Sequence, residues 1–237
     1  MARAIGLGVL FGVGMIFGVV LAPVIFLISL VRGGRAFHPR GTTCRATVVA
    51  LDPDVGGRLA GEAHVRLSGA SGDENSDVKT VLGMAIKLAN GQDLPLATFE
   101  AFAKLGAATK DTNIGDYLAN EYASVTPWRV RGLGIVWLRA IPSAHVAATG
   151  TRVDRLDAAI AAGHAKLVLE AREAPGPTAT VRCRLAELSL VERIAEDKAF
   201  TISMFHTAAG FVPTGVRNGI RGVVYPVSQL ARRLRGG

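Results

Sequence analysis

The stretch RAFHPRG, Arg35 to Gly41, sets His38 between Arg35 and Arg40 directly after a long apolar start. An imidazole changes charge near neutral pH and can carry a proton. A guanidinium presents a fork that matches carboxylates. Arg35 and His38 therefore read in two ways. They are either part of a basic collar at the end of a transmembrane helix or the first pieces of a buried site. No P-loop, Rossmann glycine fingerprint, HExxH or paired CxxC offers a competing chemistry. Glu62, Asp93 and Glu100 show no pairing that suggests acid–base work, and His64, His145, His164 and His206 read as ordinary polar residues.

The elements that must position these side chains begin with the apolar start. No charged residue lies between Ala4 and Val31. About 20 predominantly apolar residues suffice to cross a bilayer, and Pro23 and the glycines are tolerated there. The run is too long for an ordinary signal peptide and lacks an A-x-A site. One basic side chain, Arg3, precedes it; Arg32, Arg35, Arg40 and Arg45 follow. The expectation is an uncleaved single-pass anchor in the cell membrane with the main domain cytoplasmic. The division is residues 1–34, anchor and basic collar, and 35–237, one domain of a size that supports a real core.

Hydrophobic residues make up 49% of the 237 and the mean hydropathy is +0.33, an excess that the apolar start explains. The net charge of +8 fits an anionic lipid surface, and no nucleic-acid-binding motif is present. Cys44 and Cys183 are too few for a disulfide framework.

Alternation and turn residues predict strands over 42–52, 59–70 and 134–142, and a strand–turn–strand over 81–97 hinged at Asn90–Gly91. Further strands are expected over 165–173 and 178–188. Helices are expected over 98–109, in a short piece capped by Asn113 or Asp116 and running to Tyr122, and from Val153 to a cap at Gly163. The last segment reads as helix in its second half, with Pro226 starting a turn or a first helical turn. The fold class is α+β: an N-terminal transmembrane helix, then an antiparallel sheet, here expected to be a barrel, with flanking helices.

Five stretches, in order, resemble the catalase superfamily. RAFHPRG (35–41) resembles the segment that supplies the family's distal histidine. HVRLSG (64–69) resembles its V-R-F-S strand. LGMAIKL with GQDL (82–94) resembles R-G-F-A-x-K-F with G-x-W-D-L. YASVTPWRVRGLGIVWLRAIP (122–142) resembles Y-x-S-x-x-P-Y-R-F-G-x-x-A-V-K-Y. RGVVYPVSQLAR (221–232) resembles R-L-F-x-Y-x-D-T-Q/H-x-x-R.

The resemblance implies a catalase-like β-barrel that binds haem b. Tyr225 would be the iron ligand, Arg221 one helical turn earlier would hold the phenolate, and His38 would be the catalytic proton carrier. Arg35, Arg66 and Arg232 would meet the propionates, and Phe37 and Gln229 complete the cofactor-binding set. Three positions depart from the family pattern. The distal asparagine falls near Ala97 or Thr98, Thr80-Val81-Leu82-Gly83 replaces Asp-x-Arg-Gly, and Val227 stands where the family has Asp. The expected activity is reduction of hydrogen peroxide or of organic, including lipid, hydroperoxides at the membrane face. The alternative is a catalytically inactive catalase-fold accessory subunit of a membrane protein complex. A barrel that holds a lipid or other apolar ligand is a third reading.

Overall fold

A computed structural model describes residues 2–235 except 33, 37, 72–74, 76, 145–148 and 195–199, with side chains from Gly6 onward other than that of Phe102. The expected residue Phe37 lies outside the described residues, as does His145.

The apolar start forms one helix, α1 (Ala2–Arg32), which continues through Pro23. Its Gly6–Arg32 portion, with a mean hydropathy of 2.7, is long and apolar enough to cross a membrane.

Ten strands follow among the described residues: β1 (Gly41–Ala50), β2 (Gly61–Gly69), β3 (Leu82–Leu88), β4 (Asp93–Ala97), β5 (Tyr122–Ala123), β6 (Trp128–Val130), β7 (Gly134–Pro142), β8 (Lys166–Arg172), β9 (Val181–Ile194) and β10 (Phe211–Pro213). Every pairing is antiparallel. β1 to β5 run in sequence, β5 pairs with β7, β7 with β8, β8 with β9, and β9 returns to β1. Eight strands thus close a barrel, with β6 and β10 extending the sheet beside β7. Closure removes the unpaired edges that would otherwise attract another strand.

The expected hairpin between β3 and β4 forms. Gly91 takes φ +86°, which a side chain would resist, and Asn90 Oδ1 accepts from the Gln92 N–H. Alternation fixes which residues fill the barrel. Val65, Leu67, Met84, Ile86, Leu94 and Leu138 point inward and are almost fully buried.

Helices lie outside the barrel. α2 (Leu105–Asp111) starts later than the phenylalanine spacing predicts, after a 3-10 turn over Phe102–Lys104. Asp116 caps only a 3-10 turn, and Tyr122 enters a strand. α3 (Arg152–Ala161) opens on a Thr151–Asp154 capping box and ends before Gly163, as expected.

The C-terminal helix α4 (Gly215–Leu234) corrects the sequence reading, because it runs unbroken through Pro226. Proline removes one helical hydrogen bond, but its ring is exposed here, and packing on both sides of α4 holds the helix together.

α1 and α4 run in the same direction in close contact. A Cβ on Gly14 would lie 1.9 Å from the Val216 carbonyl oxygen, and one on Gly219 would lie 2.0 Å from that of Phe11. Further along, Gly18 meets Val223, the Ser29 and Ser228 hydroxyls bond at 2.8 Å, and the Arg235 guanidinium donates to the Leu30 and Val31 carbonyls. That cation meets the carbonyl end of α1, where the helix dipole favours it.

Candidate functional site

Strand parity places the site on the outside of the barrel wall. Since Val65, Leu67, Met84, Ile86, Leu94 and Leu96 face inward, Arg66 and Ser68 of β2, Gly83 and Ala85 of β3, and Pro95 and Ala97 of β4 face outward. Cross-strand pairing sets Ser68 beside Gly83, and Gly83 beside Ala97, which in turn pairs with Ala123 of β5. Gly83, Ala85, Pro95, Ala97 and Ala123 therefore make a floor of small side chains.

His38 stands on that floor. A Cβ on Gly83 would come within 2.6 Å of the imidazole, so only glycine admits the ring here. Nδ1 shares a 3.1 Å hydrogen bond with Ser68 Oγ. When Nδ1 donates, Nε2 keeps its lone pair and can act as a base. The His38 carbonyl accepts from Arg66 Nη2 at 3.3 Å. His38 is the one described non-glycine residue with positive φ, at 54°. A histidine in that region is held there by its surroundings.

The ring is enclosed even though the residue keeps some exposure. Burial is the first cause that pushes its pKa from 6.5 down to about 4, followed by the charges of Arg66 and Arg221, with a smaller push from Arg35; the Ser68 hydrogen bond opposes them. His38 is therefore neutral at physiological pH.

α4 supplies the opposite wall. Asn218, Arg221, Tyr225, Gln229 and Arg232 recur at helical spacing along one stripe, while Val216, Gly219 and Val223 face α1. Tyr225 packs against both the barrel core cluster and the small cluster of Ile25, Ala36 and Val224. Arg232 is 8% and Arg66 4% exposed. Arg221 Nη1 donates to Asn218 Oδ1 at 3.3 Å.

The sequence-predicted residues do not all converge. His38, Arg66 and Arg221 share one electrostatic neighbourhood, which Arg35 also reaches more weakly, although its hydrogen bond goes elsewhere. Arg35 Nη2 and Gln229 Nε2 instead donate to the carbonyls of Phe200 and Ile202, at 2.9 and 3.0 Å. Lys87 Nζ bonds the Thr201 carbonyl at 3.0 Å, and the Ser203 N–H donates to Asp93 Oδ2 at 2.7 Å. These four side chains fasten segment 200–203 between β3, β4, the His38 segment and α4.

Four residues beyond those expected belong to the site. Ser68 lies two residues after Arg66 in the quoted HVRLSG stretch, and strand parity alone puts it on the same face. Gly83 lies in LGMAIKL, but only the fold brings it under His38. Thr43, opposite Arg66 in β1, buries a hydroxyl with no hydrogen-bond partner, and Asn218 buries an amide nitrogen in the same condition. Nothing in the sequence signals either.

The region where the departures fall is also defined. Ala97 is part of the small floor. Thr98 Oγ1 accepts from the Leu82 N–H at 3.0 Å and bonds Thr112 Oγ1 at 2.8 Å, so its hydroxyl is engaged away from His38. Asp93 and Glu100 have partners that only the fold brings to them. Asp93 is buried and holds His206 Nδ1 at 2.8 Å, and Glu100 pairs with Lys104 and Arg139.

No protein-family model and no curated protein matches this chain. Solved structures do. The chain superposes on a fungal catalase with a TM-score of 0.62 at 14% identity, covering 84% of this chain and 59% of that one. Catalase A from Saccharomyces cerevisiae gives 0.55 at 12% identity, covering 84% and 61%. A bacterial catalase gives 0.57 at 11%, covering 84% and 57%. The chain adopts a catalase-like fold and spans about three fifths of the length of the catalases it matches.

The residues present suit a haem. A phenol on a buried helical stripe, arginines on both walls, a neutral histidine over a floor of small side chains, and two orphaned buried polar groups form a donor set matched to a metal-bearing, carboxylate-carrying, planar group.

Proposed function

We propose that this chain is a catalase-like haem protein that reduces hydrogen peroxide or organic hydroperoxides at a membrane. The observation that carries the reading is the convergence, on one outer face of the barrel, of the His38–Ser68 pair and the Tyr225 stripe of α4.

Tyr225 would ligate the iron of haem b, and Arg221 would favour its phenolate. Arg66 and Arg232 would meet the propionates, and so would Arg35 once released from the Phe200 carbonyl. Phe37, by the resemblance of its segment alone, would complete the cofactor-binding set. Haem b, when bound, supplies the redox iron that splits a peroxide O–O bond. The protein's own part is proton handling and positioning. His38 accepts the peroxide proton at Nε2 and returns it to the departing oxygen. Ser68 fixes the imidazole, and the floor of small residues leaves room for the peroxide. Thr98 offers no donor on the His38 side, so the second peroxide oxygen is less firmly held than an amide there would hold it. Reduction by an external donor is therefore favoured over rapid disproportionation.

The apolar N-terminal helix would hold the domain at a membrane, where tethering raises the local concentration of lipid hydroperoxides. Arg32, Arg35, Arg40 and Arg45 would favour the anionic cytoplasmic leaflet. The engaged Thr98 hydroxyl also supports a second reading: an inactive catalase-fold subunit of a larger membrane complex.

The test is peroxide consumption by haem-loaded protein with a reducing dye. Replacing His38 with Ala should lower the rate about 100-fold or more. An unchanged rate removes His38 from the chemistry, and a haem-loaded wild type without turnover favours the accessory role.

A further inference from the structure

We propose that α1 lies in the plane of an anionic bilayer, on the same side as the catalase-like domain, and does not cross the membrane. The argument is independent of haem.

A helix that crosses a bilayer must be surrounded by lipid or by other apolar helices for about 20 residues. α1 is not. From Phe11 to Val31 its inner stripe is seated on α4, with backbones close enough at Gly14 and Gly219 that no side chain fits between them. The opposite stripe of α4 carries Asn218, Arg221, Gln229 and Arg232 and is turned towards the domain: Asn218 and Arg232 are buried, Tyr225 between them packs against the core cluster, and Gln229 donates to the Ile202 carbonyl. A bilayer crossed by α1 would enclose that stripe and the adjoining barrel wall at the same depth. An arginine at the bilayer centre is costly even on the most lenient scale.

The outer stripe of α1 needs apolar cover. Val9, Ile16, Val20, Val24, Leu27 and Val31 fall on one helical face and are 54–73% exposed. Leu230 and Leu234 of α4 are 52% and 67% exposed, beside the C-terminal end of α1 where Ser29 meets Ser228. Phe205, 54% exposed, packs edge-to-face on Phe11 and extends the surface at the other end.

Charge says what covers this face. No acidic residue occurs between 1 and 51 or between 207 and 237. Arg32, Arg233 and Arg235 are exposed at the shared C-terminal end of the two helices. An apolar stripe flanked only by cations fits an anionic headgroup layer. Interfacial helices usually carry their own polar face. Here α4 provides it, and the two helices together form the amphipathic unit.

The test uses the full chain with a different protease-cleavable epitope at each end, in sealed membrane vesicles. In-plane binding places both epitopes on one side, so protease added outside removes both or neither. Removal of only one means that α1 spans and overturns the proposal. A second measurement is co-sedimentation with phosphatidylcholine vesicles with and without phosphatidylserine. Binding should be stronger with phosphatidylserine, and the paired change Ile16→Asp, Val20→Asp should lower it roughly tenfold or more while the melting profile by circular dichroism is retained. Undiminished binding of that variant, or a wild type that stays in solution as a dimer, also overturns the proposal.

Discussion

Burial of the His38 ring, and after it the nearby charges of Arg66, Arg221 and Arg35, keep the neutral form down to about pH 4. The sign of the stability effect follows. The unfolded chain takes up this proton as pH falls through the ordinary value of 6.5, whereas the folded chain takes it up only near 4. Stability from His38 is thus full above 6.5, declines as pH falls from 6.5 to 4, and is constant below. Urea midpoints measured from pH 7 to pH 4 should fall more steeply for wild type than for His38→Gln; parallel curves would contradict the burial of the ring. Ser68→Ala removes the bond at Nδ1 and should slow hydroperoxide turnover about five- to tenfold, as read from kcat of the haem-loaded protein. His38, Arg66 and Tyr225 stand out as candidates in the sequence because their motifs are short and local. Ser68 was in view but needed strand parity to give it a role. The Asp93–His206 bond was not legible, since its partners lie 113 residues apart and meet only through the fold.

The helices show how packing overrides local preference. Most strands of the barrel, and α3, follow from alternation, turn residues and a capping box. The first half of α4 does not, because Gly215, Asn218, Gly219 and Gly222 are poor helix formers and Pro226 breaks the hydrogen-bond ladder. Contact with α1 on one side and the barrel on the other compensates. Gly219→Leu would drive a side chain into the Phe11 carbonyl and should destabilise the protein by about 1–3 kcal/mol. Gly12→Leu, in open space on α1, should be nearly neutral. Equal melting temperatures for the two variants would contradict the α1–α4 contact.

For the whole molecule, the order of five short motifs was enough to indicate the barrel at 11–14% identity to catalases. Periodicity could not show that β9 returns to β1, nor that the site lies outside the barrel wall. Both depend on pairings between residues far apart in sequence. The apolar helix was equally plain, but its seat on α4 was not, because hydropathy records what a helix avoids and not what it touches. That seat places the Tyr225 stripe one helix away from the exposed face of α1. The barrel wall, α4 and α1 thus form three layers, with the candidate site between the first two.

The most direct measurement is the absorption spectrum of the full chain titrated with haem b in mild detergent, wild type beside Tyr225→Phe. A saturable Soret band at one haem per chain that shifts or is lost in the variant is the predicted result. A folded wild type that takes up no haem, or a band indifferent to Tyr225, would contradict the assignment of this site.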